Sequence, residues 1–214
     1  MDDRFTRVRA VLGDDFEKLQ HAHVLLLGVG GVGGVCLDAL FRTGIGHITI
    51  VDDDVYDITN QNRQLGSEAV GSVKVHHLAS LYPNVTPMHL RITPQWVEAF
   101  DFSPYDVVID AIDDMPAKVA IAHTVSHKLL SSSGSAKKID PTRIRYTSIW
   151  KTHGDALAKK MRYELKKSGF EGDFITVFSD EAPLCKELGS LMCVTGAFGF
   201  ALASLAIQKL TCKD

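Results

Sequence analysis

The chain has 214 residues, of which 45% are hydrophobic and 23% are charged, and its formal net charge is -3. This length allows one α/β domain with a sizeable core, and the composition is that of an ordinary globular chain rather than a disordered or low-complexity one. So small a net charge predicts, by itself, no affinity for a polyanion.

The cysteines and the amino terminus indicate the compartment. Four cysteines are spread along the chain without any C-x-x-C pair, which argues against a four-cysteine zinc site and suits a reducing environment. The first ten residues, MDDRFTRVRA, contain no apolar run of the kind that a secretory signal needs. We therefore expect a cytoplasmic location.

The first predicted strand, HVLLL at 23–27, runs directly into a glycine-rich turn. Gly28, Gly30 and Gly33 satisfy G-x-G-x-x-G, Gly31 adds a further glycine, and a helix is predicted to begin near Val32. Glycine allows a tight turn and lets a phosphate approach backbone amides at a helix amino terminus. The spacing suits the pyrophosphate of a dinucleotide and the triphosphate of ATP equally.

A second strand is predicted at 47–51, and polar side chains follow it. Asp52 ends this strand, where an acid can bind a ribose hydroxyl. The run DDDVYDITNQNRQ then supplies the candidate nucleotide-binding residues Asp54, Asn60, Arg63 and Gln64. A crossover helix predicted at 67–81 carries Lys74.

A third strand is predicted at 106–112, with Asp113 at its carboxyl end and a helix at 116–129 after it. In an open parallel sheet these strand ends share one edge with the glycine turn. Asp113 could then hold Mg²⁺, while Arg63 and Lys74 neutralise the charge of a reacting triphosphate. A nicotinamide cofactor would give Arg63, Lys74 and Asp113 no common function, so the pattern favours ATP.

The last third of the chain is basic. A polar loop leads into RIRYTSI, which alternates like an edge strand, and a basic helix is predicted at 155–168. Segment 137–167 holds ten Lys or Arg against three acids, a charge of +7 that leaves -10 for the remainder. Such asymmetry fits a surface for a polyanion, or a solvated helix face.

Residues 188–207 contain no charge over twenty positions and are long enough to cross a bilayer. Their many small residues suit a buried helix or a subunit interface, and we expect one of these rather than a membrane segment. The repeated alternation of strand and helix predicts an α/β fold with a doubly wound, mostly parallel sheet, carrying a short basic insertion. We expect a single domain over 1–214, with nucleotide binding in 20–114 and substrate binding and dimerisation in 115–214.

The motifs GVGGVG, VDDD with TNQNRQ, Lys74 and IDAID resemble the adenylation domain of the ubiquitin-activating-enzyme superfamily. The resemblance implies a Rossmann-like adenylation domain that uses ATP and Mg²⁺. It implies that Asp52 binds the ribose, that Asn60, Arg63 and Lys74 contact the phosphates, and that Asp113 binds Mg²⁺. Arg7, in the early RFTR, would reach the ATP phosphates of the partner subunit in a homodimer.

Within that superfamily, RTGIGHITIVD, IDAIDDMPAK and above all KKIDPTRI are similar to the tRNA threonylcarbamoyladenosine dehydratases. This resemblance implies ATP-dependent ring closure of a modified adenosine through carboxylate adenylation. It also implies that segment 137–167 binds tRNA, and that sulfur-transfer or tRNA-modification proteins are further partners.

Three alternatives stay open at this stage. The first is an adenylyltransferase that activates the carboxyl-terminal glycine of a ubiquitin-like sulfur carrier, and the second is a nicotinamide oxidoreductase. The third is a protein that binds nucleotide without catalysis. Cys185 lies where a covalent relay could sit, although a spectator thiol is the more common role for such a residue.

Overall fold

A computed structural model describes residues 3–211 of the chain. Its centre is one seven-stranded sheet in the order β3-β2-β1-β4-β5-β7-β6, and only β6 runs antiparallel to its neighbour. The strands are β1 His23–Leu27, β2 His47–Asp52, β3 Val85–His89, β4 Val107–Asp110, β5 Leu129–Ser132, β6 Ile144–Ser148 and β7 Ile175–Ser179. The predicted doubly wound, mostly parallel α/β sheet is confirmed.

Helices cover both faces of this sheet. They are α1 Thr6–Leu12, α2 Asp15–His21, α3 Gly33–Thr43, α4 Lys74–Leu81, α5 Pro94–Ala99, α6 Met115–Val125, α7 Ala156–Lys167 and α8 Met192–Thr211. Side chains of β1 alternate between two cores because successive residues of a strand point to opposite faces. Leu26 packs with α3, α4 and α8, whereas Leu27 packs with α5, α6 and α7.

The predicted crossover helix at 67–81 is wrong in its first half. Helix α4 begins only at Lys74, because Gly66 and Gly71 have φ angles of 76° and 84° that interrupt a right-handed helix. Val73 also pairs with Val55 in an isolated antiparallel bridge. The delayed start matters for function, because it places Lys74 in the first turn of the helix.

Two further features differ from the prediction. The helix predicted at 116–129 ends at Val125, and Leu129 already belongs to strand β5. Strand β3, which was not predicted, contains a proline, Pro87. It is tolerated there because β3 is an edge strand that pairs with β2 alone.

The apolar segment at 188–207 becomes helix α8, which starts later, at Met192. By length and apolarity α8 could span a membrane, but half of its most apolar window is buried inside the fold. A Cβ at Gly199 would lie 2.5 Å from the carbonyl oxygen of Val32, so α3 and α8 are in backbone contact. Helix α8 therefore packs along one side against the fold, as expected of a buried or an interface helix.

Candidate active site

A cavity of about 780 Å³ opens at the carboxyl ends of β1, β2, β4 and β5. Ten of the predicted site residues line it: Gly28, Gly30, Gly31, Asp52, Asp54, Asn60, Arg63, Gln64, Lys74 and Asp113. These residues are spread over 86 positions of sequence and meet because parallel strands bring their ends to one sheet edge. The expected convergence of polar side chains beside the glycine turn is confirmed.

The glycine turn connects β1 to α3 with little space between them. A Cβ at Gly33 would lie 1.9 Å from the carbonyl oxygen of Gly28, which no side chain could accommodate. Gly33 is not among the residues that line the cavity, and it allows the close packing of helix on strand, so its contact with a nucleotide stays a prediction. Gly28, Gly30 and Gly31 do line the cavity.

Asp52 is held in place at the end of β2. Its carboxylate accepts hydrogen bonds from the backbone N–H of Val29, at 2.8 Å, and of Asp54, at 2.9 Å. The first bond fixes the acid directly beside the glycine turn. A carboxylate oriented in this way has lone pairs left for a ligand hydroxyl at the mouth of β2.

Lys74 is a buried cation in the cavity wall. Its Nζ lies 2.7 Å from Oδ2 of Asp54, and the lysine side chain is 4% exposed whereas that of Asp54 is 65% exposed. An ammonium group has three donors, and the single described hydrogen bond leaves two for a ligand. Lys74 therefore presents positive charge in a poorly solvated position.

Asn60 and Arg63 are positioned by a short 3-10 helix at Ile58–Asn60. Asp57 caps it, because its Oδ1 accepts from the backbone N–H and the hydroxyl of Thr59, and these bonds hold the pKa of Asp57 below its usual value. Asn60 returns a hydrogen bond, accepting from the N–H of Asp57 at 3.0 Å, so its amide nitrogen stays available. Arg63 donates through Nη1 to the carbonyl of Thr59.

Gln64 contributes an unsatisfied acceptor. Its side chain is buried in the cavity wall, and Oε1 has no hydrogen-bond partner among residues 3–211. Buried polar atoms without partners are rare because each costs free energy, and they point to a ligand that supplies the missing bond. Gln64 lies close to Gly30, since a Cβ there would be 3.9 Å from Nε2 of the glutamine.

Asp113 is an exposed carboxylate at the cavity mouth. Within the described part of the chain it makes no hydrogen bond and no ion pair, unlike its neighbour Asp114, which caps α6 by accepting from the N–H of Ala117 at 2.9 Å. A carboxylate without such partners, in a cavity that is also lined by Arg63 and Lys74, is a suitable ligand for Mg²⁺.

The sequence patterns missed a buried polar cluster below the cavity floor. Asp110 and Lys118 form an ion pair with Nζ and Oδ2 2.7 Å apart, and Ser131 donates its hydroxyl to the same carboxylate oxygen. Lys118 also donates to the carbonyl of Ser132, which lines the cavity. The signal for this cluster was present in IDAIDDMPAK, where Asp110 and Lys118 are eight residues apart.

A second wall of the cavity was also missed. It consists of the loop 132–136 after β5, together with Leu157, Leu188, Ser190 and Thr195. Asn62 ties the two walls together by donating to the carbonyl of Ser190 at 2.8 Å. The cavity therefore draws on both parts of the chain, 20–114 and 115–214.

Arg7 and Cys185 stand apart from this cavity. Arg7 lies on the exposed side of α1 and does not line the cavity of its own chain, so its role in a partner subunit stays a prediction. Cys185 is exposed, and its thiol contacts the carbonyl oxygen of Glu187 at 3.3 Å.

The basic segment 137–167 contains buried or paired cations and exposed cations. Lys138 is buried, donates to the carbonyls of Ser179 and Glu181, and lies 3.7 Å from Asp155. Arg143 pairs with Asp180 at 2.8 Å. By contrast Lys151, Lys159, Lys160, Lys166 and Lys167 are exposed, and none makes an ion pair within residues 3–211. Only part of the positive charge of this segment is therefore exposed on the surface.

Comparisons with known proteins agree with the resemblance that the sequence motifs indicated. The chain is 37% identical over 193 residues to the tRNA threonylcarbamoyladenosine dehydratase of Bacillus subtilis (strain 168), covering 85% of this chain and 76% of the relative. It is 32% identical to the protein of that name from Escherichia coli (strain K12), covering 90% and 87%. A fungal adenylyltransferase and sulfurtransferase, UBA4 of Kluyveromyces lactis, is 35% identical over 56% of this chain and 30% of its own length.

Solved structures also match this fold over nearly the whole chain. The structure of E. coli TcdA in complex with ATP superposes with a TM-score of 0.90 and 34% identity, covering 97% of this chain and 93% of the other. The complex of the same protein with AMP gives a TM-score of 0.90 at 33% identity. The profile of the ThiF family matches residues 3–214. With nearly the whole chain matched, this protein belongs to the ThiF family.

Proposed function

We propose that the chain closes the ring of N6-threonylcarbamoyladenosine in tRNA, using ATP to adenylate the carboxylate of the nucleoside. The observation that carries this proposal is the convergence of ten predicted polar and glycine residues on one cavity. The relatives named for this activity support it, since they are similar over most of their length. The relative crystallised with ATP and with AMP supports the choice of nucleotide.

The residues of the cavity fit ATP. Its volume, about 780 Å³, lies within the range of about 300 to 1,000 Å³ that is usual for small-molecule sites. Asp52 suits a ribose hydroxyl, the amides after Gly28 suit phosphate, and the unpaired Oε1 of Gln64 accepts from an amino or hydroxyl donor. Asn60, Arg63 and Lys74 supply donors for phosphate oxygens.

Asp113 is the residue that we assign to Mg²⁺. Asp52 already accepts two backbone donors and Asp54 already pairs with Lys74, whereas Asp113 has no such partner in the described residues. When bound, Mg²⁺ would neutralise charge on the phosphates of ATP.

The chemistry makes a carboxylate reactive by giving it a better leaving group. The carboxylate oxygen attacks the α-phosphorus of ATP, the bond to the β-phosphate oxygen breaks, and pyrophosphate leaves. A nucleophilic atom of the same nucleoside then attacks the acyl carbon, and AMP leaves with the original carboxylate oxygen. Arg63 and Lys74 would stabilise the negative charge that develops in the first step.

The nucleotide-binding part is 20–114 in this proposal, and 115–214 binds substrate and forms a homodimer. Arg7 would complete the site of the partner subunit. The tRNA would contact the basic segment 137–167, because phosphate backbones are held by lysine and arginine side chains. Sulfur-transfer or tRNA-modification proteins would be further partners.

The test is to incubate the protein with Mg-ATP and tRNA that carries threonylcarbamoyladenosine, and to weigh the nucleoside afterwards. The proposal expects a mass loss equal to one water, dependent on ATP. A parallel reaction contains a carrier protein that ends in Gly-Gly. Adenylation of that carrier, with the tRNA unchanged, would contradict the proposal and favour a sulfur-carrier adenylyltransferase.

A further inference from the structure

A second concave site lies between α6 and α7, outside the cavity described above. It is a groove of about 450 Å³ with an apolar floor and a polar rim. The floor is formed by Met115, Pro116 and Val119 of α6, and the rim by Lys160, Glu164 and Lys167 of α7.

The two lysines of the α6–α7 groove lie on the same side of helix α7. Lys160 and Lys167 are seven residues apart, which is close to two turns of an α-helix, so both project over the groove. Both are exposed, and neither ammonium group has an ion-pair partner within the described residues. Their charge is therefore available to a ligand, in contrast to that of the buried Lys138.

The groove adjoins the catalytic cavity along the chain. Asp113 and Asp114 line the cavity, and the next two residues, Met115 and Pro116, line the groove. Because consecutive Cα atoms are about 3.8 Å apart, the two sites meet at the start of α6, and a strand that passes over this point would reach both. A free mononucleotide would not need such an extension, whereas a nucleic acid strand would.

We propose that the α6–α7 groove binds a nucleotide that neighbours the reacting nucleoside in the RNA, an inference that rests on the proposed function. Lys160 and Lys167 hold the phosphates on either side of this nucleotide. The apolar floor accepts the face of its base, and Glu164, between the lysines, accepts a hydrogen bond from an exocyclic amino group. A nucleotide within a strand has an apolar base face and charged phosphates on either side, so it matches a groove with an apolar floor and a cation at each end.

The experiment compares two double variants that remove the same charge from the same helix. Lys160→Gln with Lys167→Gln alters the groove. Lys159→Gln with Lys166→Gln is the matched control, because each position is one residue earlier and lies about 100° around the helix. The full-length protein is assayed with threonylcarbamoyladenosine-bearing tRNA for KM, kcat and the salt dependence of binding. ATP affinity is measured without RNA.

The groove variant should raise the KM for tRNA about tenfold and leave kcat and ATP affinity unchanged. For this variant, the plot of log affinity for tRNA against log salt concentration should be shallower by about 1.4 in slope, because two phosphate contacts to a single strand are removed. The control variant should change the KM by no more than about twofold, since neither Lys159 nor Lys166 lines the groove and distant charge is screened by salt.

Two results would overturn the inference, and they are distinguishable. If both variants change the KM and the salt slope equally, the positive charge of α7 acts on the RNA without a specific groove. In that case, ring closure by the wild type would leave the proposed function standing. Failure of the wild type to convert tRNA would remove the proposed function and the role of the groove together.

Discussion

Lys118 and Asp110 form an ion pair that is almost completely removed from solvent, with side-chain exposures of 2% and 0%. The pair connects α6 to the carboxyl end of β4, and through Ser131 and Ser132 to the end of β5. Asp110 also accepts from the backbone N–H of Ile112, which lines the cavity. The cluster therefore fixes two strand ends that form the cavity floor.

Lys118→Met should be strongly destabilising, because it leaves the buried carboxylate of Asp110 without its cation. Loss of one partner of a buried pair costs about 3 to 5 kcal/mol. Urea denaturation measures the free energy of unfolding, and Lys160→Met, which removes an exposed lysine of α7, is the control with little expected change. Equal stability of Lys118→Met and the wild type would contradict the structural role of the pair.

Gly30→Ala and Gly33→Ala should separate ligand binding from folding. At Gly33 the new Cβ would overlap the carbonyl oxygen of Gly28, so we expect a loss of about 3 kcal/mol or more. At Gly30 the nearest described atom would be 3.9 Å away, so the fold is kept while a methyl group enters the cavity. Thermal melts with and without ATP distinguish them, and ATP should stabilise the wild type but not Gly30→Ala.

Asp113→Asn and Lys74→Gln should both fold normally. Asp113 is exposed, and the partner of Lys74, Asp54, is 65% exposed, so no charge is left buried. Each variant should lower tRNA-dependent exchange of pyrophosphate into ATP by about a hundredfold or more, the usual cost of one preorganised charged group. Exchange at the wild-type rate in either variant would remove that residue from the proposed mechanism.

Lys138→Met and Lys159→Met test the division of the basic segment. Lys138 is buried and donates to two backbone carbonyls, so its removal should leave them unsatisfied and cost about 1 to 3 kcal/mol for each. Lys159 is exposed and should affect stability by less than about 0.5 kcal/mol. Thermal denaturation of both variants measures this difference in stability. Similar melting temperatures would contradict the distinction between a buried, structural Lys138 and an exposed Lys159.

Local sequence patterns identified the parts of the fold that have a strong local signal. Strands β1, β2 and β4 are apolar runs next to turn residues, and all three were predicted. Strand β3 was missed because VTPMH contains a proline and few apolar residues, and its edge position alone makes Pro87 acceptable. Strand β5 was missed because LLSS ends in two serines, which are buried by their contacts with the Asp110–Lys118 pair.

The candidate site shows the same division. Acids and amides that directly follow strands were predictable, because strand ends of a parallel sheet meet at one edge. The wall formed by 132–136, Ser190 and Thr195 was not, because these segments reach the cavity through the docking of α8 and the order of the sheet. Lys118 resembled an ordinary helix lysine, and only the packing of α6 shows that it is buried.

The most direct measurement follows one oxygen atom. Threonylcarbamoyladenosine in tRNA is labelled with ¹⁸O in its carboxylate and allowed to react with Mg-ATP on the wild-type protein, and the mass of the nucleotide products is recorded. Attack of the carboxylate on the α-phosphorus predicts AMP with one ¹⁸O and unlabelled pyrophosphate. Label in inorganic phosphate, with ADP as the nucleotide product, would contradict adenylation as the function of this cavity.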